Sequence, residues 1–143
     1  MKTLKTVILT FSFLLFATIL VKANPAPKAK RTIDYVLNQY IDCTSKGKFN
    51  DFSKILDNNF KYHITYNGRT NTYNKKQIVE YMKETKNLLR NCNTSYTLVE
   101  SNDNFSIAKV DMKYPTFTKT DYVTMYINSN TEWTITNVFT TYN

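Results

Sequence analysis

The stretch Val36–Phe52, VLNQYIDCTSKGKFNDF, decides how this chain is read. It holds the end of an apolar-striped helix, a glycine break and the opening of a second helix. Working outward to Thr32, the stripe comprises Ile33, Val36, Leu37, Tyr40, Ile41 and Thr44. That is the i, i+3, i+4, i+7, i+8 spacing of a helix with one buried face. Thr32 is placed to cap it, Asp34 suits the positive end of the helix dipole, and Gly47 stands where a left-handed residue ends a helix. Phe52, Ile55 and Leu56 share one side of the short second helix, with Asn50 or Asp51 as its cap. Tyr40 on the buried stripe raises the functional question: does it line a working pocket or fill a core?

Downstream the period changes. In FKYHITYNGRTNTY, Phe60, Tyr62, Ile64 and Tyr66 alternate with Lys61, His63 and Thr65, and Asn67-Gly68 is a two-residue hairpin turn. Asn74 caps a third helix over roughly Lys75 to Leu89, with Ile78, Val79, Tyr81, Met82 and Leu88 apolar. After Asn93 the chain reads as strands near 94–100, 105–114, 120–127 and 132–142. Their breaks are Ser101-Asn102-Asp103-Asn104, Tyr114-Pro115 and Asn128-Ser129-Asn130. Short polar turns between consecutive strands imply an antiparallel meander, and helices placed ahead of it imply an α+β fold.

The first 23 residues read as a secretory signal peptide. Lys2 and Lys5 precede an uncharged apolar run from Val7 to Val21, and Val21-Lys22-Ala23 supplies small residues at a cleavage site. The run is short of the roughly 20 residues that span a bilayer, so no stable membrane span is expected after cleavage. Residues 24–31, NPAPKAKR, read as a flexible linker, and 32–143 as one domain. The expected compartment is periplasmic or extracellular.

Composition narrows the classes. The 143 residues suit one domain, and 11 Tyr with 9 Phe favour strands and apolar cavities. Removing Lys2, Lys5 and Lys22 takes 19 basic residues to 16 against 11 acidic ones, so the net charge falls from +8 to +5. The remaining lysines, Lys46 through Lys119, are scattered and read as solvated surface, which argues against nucleic-acid binding. Asp111, with Lys109 and Lys113 two residues to either side, reads as part of an outward charge network. One histidine without paired carboxylates makes no metal site. With Gly47 and Gly68 the only glycines, there is no phosphate-cradling loop, and nothing calls for a cofactor. Cys43 and Cys92 are the only cysteines. In an exported chain they could bridge, a link worth roughly 4 kcal/mol in the chain-entropy model, or stay as free thiols.

Helix, KGKFNDF break, short helix, Asn-Gly hairpin, third helix and long meander together resemble the nuclear transport factor 2-like superfamily, which includes ketosteroid isomerase and polyketide cyclases. The resemblance covers about residues 32–143. It implies a cone-shaped sheet curled around three helices, an apolar pocket and homodimerisation through the outer sheet face.

On that resemblance Tyr40 matches the tyrosine that donates to a developing oxyanion in the isomerase branch. His63, away from the more apolar strand face, reads as a surface or partly satisfied histidine, with a general base of the kind found in the dehydratase branch as the alternative. The isomerase branch also needs two aspartates, yet no acid lies between Lys61 and Asn74, and Thr124 or Met125 falls near the deeper position. Asp121 lies a few residues away. The expectation is therefore an exported, non-catalytic domain that binds a small apolar or aromatic ligand, or a protein partner. Its pocket would be lined by Tyr40, Tyr62, Ile64, Met82 and Met125. The alternative is a small isomerase, cyclase or dehydratase using Tyr40 with His63 or Asp121.

Overall fold

The computed structural model describes residues 30–143; the expected signal peptide and nearly all of the linker lie outside them. Helices α1 (Ile33–Lys46) and α2 (Phe52–Ile55) lead into the β1 (Leu56–Tyr66)–β2 (Arg69–Asn74) hairpin and then α3 (Lys75–Glu84). Strands β3 (Asn93–Ser101), β4 (Phe105–Lys113), β5 (Thr118–Ile127) and β6 (Trp133–Tyr142) complete one six-stranded sheet. The sheet order is β2-β1-β6-β5-β4-β3. Every neighbouring pair is antiparallel except β1 with β6. This is the α+β architecture the sequence predicts, with the first long strand inserted parallel beside the last.

The helix ends follow local chemistry. Thr32 accepts from the Tyr35 amide at 3.2 Å, and Gly47 closes α1 at φ +64°. The side chains of Asn74 and Gln77 reciprocally bond each other's backbone amides at the start of α3, forming a capping box. Asn67 and Gly68 both take positive φ, as a tight hairpin turn of this type requires.

One boundary departs from expectation. The apolar pattern predicts that α3 runs on to Leu89, but the helix stops at Glu84. Asn87 turns left-handed at φ 66°. Its amide donates to the Gly47 carbonyl at 3.0 Å, and the Arg90 amide donates to the Ser45 carbonyl at 2.8 Å. The segment after α3 thus bonds to the end of α1 instead of continuing as helix. A Cβ at Gly47 would stand 2.6 Å from the Leu88 nitrogen, so glycine is required there by space as well as by φ.

The core lies between the inner face of α1 and the concave face of the sheet. Val36, Leu37 and Tyr40 pack with Phe52, Val110, Val123 and Val138, all essentially without exposure. Register shifts in the β1–β6, β3–β4 and β5–β6 ladders bend the strands locally. Beyond the end of α1, the concavity is left open.

Candidate functional site

Tyr40, from the middle of α1, reaches across the core to β5. Its hydroxyl donates to Asp121 Oδ2 at 2.7 Å. Strand alternation puts Lys119, Asp121 and Val123 on one face, and Lys119 Nζ donates to the same oxygen at 2.5 Å. Thr140 of β6, the register partner of Asp121, donates its hydroxyl proton to Oδ1 at 2.5 Å. Since that single proton is committed to the carboxylate, the 2.8 Å contact of Thr140 with the Tyr62 hydroxyl is one in which Tyr62 donates. Charge-assisted bonds of this length are the strong kind.

The tyrosine–aspartate pair at the centre of this cluster is sealed. Tyr40 and Asp121 are 0% exposed, and the Lys119 side chain is 13% exposed. Burial, followed by the Asp121 charge and Tyr62, holds the Tyr40 hydroxyl well above the usual tyrosine range. Burial likewise raises Tyr62, partly offset by the Lys119 charge. For Lys119, burial works toward the neutral amine, but the Asp121 carboxylate and Tyr62 outweigh it, and the ammonium is held above the ordinary lysine range. Lys119 therefore departs from the solvated lysines among which its sequence pattern places it. Asp111 sits on the opposite face, bonded to Lys109 at 3.0 Å and accepting from Thr120 at 2.7 Å.

Next to the cluster lies a cavity of about 820 Å³. Its walls come from the end of β1, the inner side of α3, the segment after α3 and the β4–β5 turn. Tyr62, Ile64 and Met82 line it, as do Met112, Tyr114, Phe117 and Tyr142. Tyr114 and Phe117 are stacked at 4.4 Å between ring centroids. Lys119 and Arg90 also reach the wall, and Glu80 and Glu84 of α3 stand along it.

The sequence candidates are thereby divided. Tyr62, Ile64 and Met82 face the cavity, whereas Tyr40 and Met125 are packed in the core without exposure. Tyr40 and Asp121 meet each other. His63 is on the outer face of the sheet, stacked on Phe139 at 4.3 Å and 2.9 Å from the Thr72 hydroxyl. Cys43 and Cys92 are unbridged thiols; burial pushes Cys43 up to about 12, partly countered by Arg90.

Reading the sequence missed Lys119 and Arg90. The i, i+2 spacing of Lys119 with Asp121 on one strand would have linked the lysine to the aspartate. Arg90 carried no local signal, because its placement depends on the turn against Gly47.

An oxyanion hole needs donors aimed at a reacting atom. Here the tyrosine proton is spent on Asp121, and both Asp121 oxygens are occupied. The arrangement as it stands is a satisfied buried network beside a partly apolar cavity.

A curved six-stranded sheet packed with three helices is the nuclear transport factor 2-like fold. Residues 28–140 match the family model described as "Putative lumazine-binding", and the chain belongs to that family. Similar solved structures include a nuclear transport factor 2-like protein of unknown function from Silicibacter pomeroyi, with TM-score 0.64 and 10% identity over 77% of this chain and 92% of that one. One from Methylobacillus flagellatus gives TM-score 0.56 and 15% identity over 80% and 99%. A protein called a "putative ketosteroid isomerase", from Parabacteroides distasonis, gives TM-score 0.57 and 10% identity over 80% and 95%. Identities this low establish a shared fold. No curated protein matches the chain. Among the described residues no helix is long and apolar enough to cross a membrane.

Proposed function

We propose that this is an exported, non-catalytic domain that binds a small, largely planar aromatic ligand in the cavity beside Tyr62. One observation carries the reading: an 820 Å³ space walled by aromatic and aliphatic side chains, with the tyrosine–aspartate pair that could do chemistry turned away from it. Cavities of this size and lining suit compact organic ligands. The family description makes lumazine the first probe.

The test is calorimetric titration of residues 24–143 with lumazine and other planar aromatics, alongside Ile64→Trp, which fills the cavity. Binding that Ile64→Trp abolishes supports the reading. No binding across the panel overturns it, and so does isomerase or dehydratase turnover that Tyr40→Phe removes. The alternative enzyme reading draws on the Tyr40–Asp121 contact, but it needs substrate access to a pair that is 0% exposed.

Three further parts of the proposal rest on separate observations. Export rests on the layout of residues 1–23 and is tested by N-terminal sequencing of protein recovered outside the cytoplasm. Homodimerisation rests on the outer sheet face, where Phe139 pairs laterally with His63 and Tyr122 and is 47% exposed. A concentration-independent monomer in light scattering would rule it out. Oxidation of Cys43 with Cys92 in the exported state, with loss of two hydrogens to a disulfide oxidant, would staple α1 to the segment after α3. Alkylation of two thiols in exported protein without reductant would exclude it.

A further inference from the structure

Electrostatics in the cavity add a constraint that its shape does not. The Lys119 charge is matched by Asp121 at 2.5 Å. Arg90 is different. Its backbone amide is fixed on Ser45 O, and its guanidinium donates through Nη1 to the Thr44 carbonyl. Yet among the described residues no carboxylate lies within 4.0 Å of it. The side chain is half-buried on the cavity wall. A guanidinium carries five N–H donors, and this anchor uses one.

Tyr114 lines the same cavity. Burial and the Cys92 thiol raise its hydroxyl, while Arg90 and Lys119 pull it back, so both cations act on the same point of the wall. The acidic wall residues, Glu80 and Glu84, are instead exposed on α3, where water screens them. The cavity is thus positive near Arg90 and Tyr114 and acidic on its solvent side.

Resting on the ligand-binding reading above, we infer that the cavity selects a monoanionic aromatic ligand, its carboxylate or equivalent anionic oxygen seated on Arg90 beside Tyr114 and its ring between Tyr62, Met82 and Phe117. A partly desolvated guanidinium gains most from a planar, bidentate anion. The aromatic walls favour a flat ring over a branched aliphatic body. A single uncompensated positive charge fits one negative charge, and a second would find no further unmatched cation among the described wall residues.

The experiment uses matched probes: 2-naphthoate, 2-naphthamide and naphthalene-2,6-dicarboxylate, titrated into the protein and into Arg90→Gln and Arg90→Lys. The carboxylate is expected to bind the unaltered protein at least about tenfold tighter than the amide, the scale of one charge-assisted hydrogen bond. The dicarboxylate is expected to bind more weakly than the monocarboxylate. Arg90→Gln erases the preference, and Arg90→Lys keeps part of it. Should 2-naphthamide bind as tightly as 2-naphthoate to the unaltered protein, the inference fails while the ligand-binding reading stands. The same follows if the preference survives in folded Arg90→Gln. If none of these probes and none of the neutral aromatics binds, the ligand-binding reading fails and takes this inference with it. The comparison on unaltered protein decides the matter even if Arg90→Gln does not fold.

Discussion

Two adjoining regions use similar side chains to opposite ends. In the cluster around Asp121, the Tyr40 and Thr140 protons and one Lys119 N–H are committed to the carboxylate, which is itself fully buried. On the adjoining cavity wall, Arg90 keeps hydrogen-bonding capacity in reserve, among rings that touch solvent. The cluster is spent on holding α1 to β5 and β6; the wall is available. A tyrosine and an aspartate in contact therefore mark different roles depending on whether their donors point at each other or at an empty space.

The largest way to break this comparison is Asp121→Ala. It leaves the Lys119 ammonium buried without its partner, which costs about 3–5 kcal/mol, and should lower the urea midpoint sharply or prevent folding. A loss under 1 kcal/mol would mean that the cluster is wetter than its burial implies.

Raising the pH attacks the same cluster without mutation. Lys119 is held above its ordinary value, so its contribution is complete below about pH 10.4 and is lost as pH rises through the folded value. Tyr40 and Tyr62 are raised as well. Above about pH 10 the unfolded chain releases those protons while the fold retains them, so all three groups make stability fall with rising pH. Urea midpoints measured from about pH 8 to about pH 11 should decline, and Tyr40→Phe should flatten the slope. A flat profile in the unaltered protein would contradict the proposed proton arrangement.

Gly47→Ala tests the wall's support. A left-handed alanine costs about 1–2 kcal/mol, and the clash with the Leu88 nitrogen adds to it. A total of roughly 2–3 kcal/mol is expected by denaturant titration, with ligand affinity lowered too, because Arg90 is positioned by this contact. Stability lost with affinity intact would separate the two. The smallest effect sharpens the contrast most: Tyr40→Phe should cost about 1–2 kcal/mol and leave ligand affinity unchanged, whereas Tyr114→Phe should weaken carboxylate binding severalfold with little loss of stability.

Much of the scaffold was legible in the chain. The stripe from Ile33 to Thr44, its stop at Gly47, the Asn67-Gly68 turn and the polar breaks of the meander are local signals, and local energetics decide them. What escaped reading was set at a distance. Leu88 and Leu89 continue the periodicity of α3, but Asn87 is drawn to Gly47 and the helix ends early. Tyr40 and Asp121 are 81 residues apart, so their contact follows from sheet closure rather than from a motif. Counting charges could not separate Lys119 from the surface lysines; strand alternation could have done so. Arg90 required the fold itself.

The parallel pairing of β1 with β6 also has a kinetic side. Tyr62 lies opposite Val138, so β1 pairs at once with β2 but cannot meet β6 until nearly the whole chain is present. Closing so long a loop carries an entropic cost that precedes its reward. The domain is expected to complete its sheet late, in a step that local helix formation does not accelerate, and with β1 unpaired on that side until the last strand arrives.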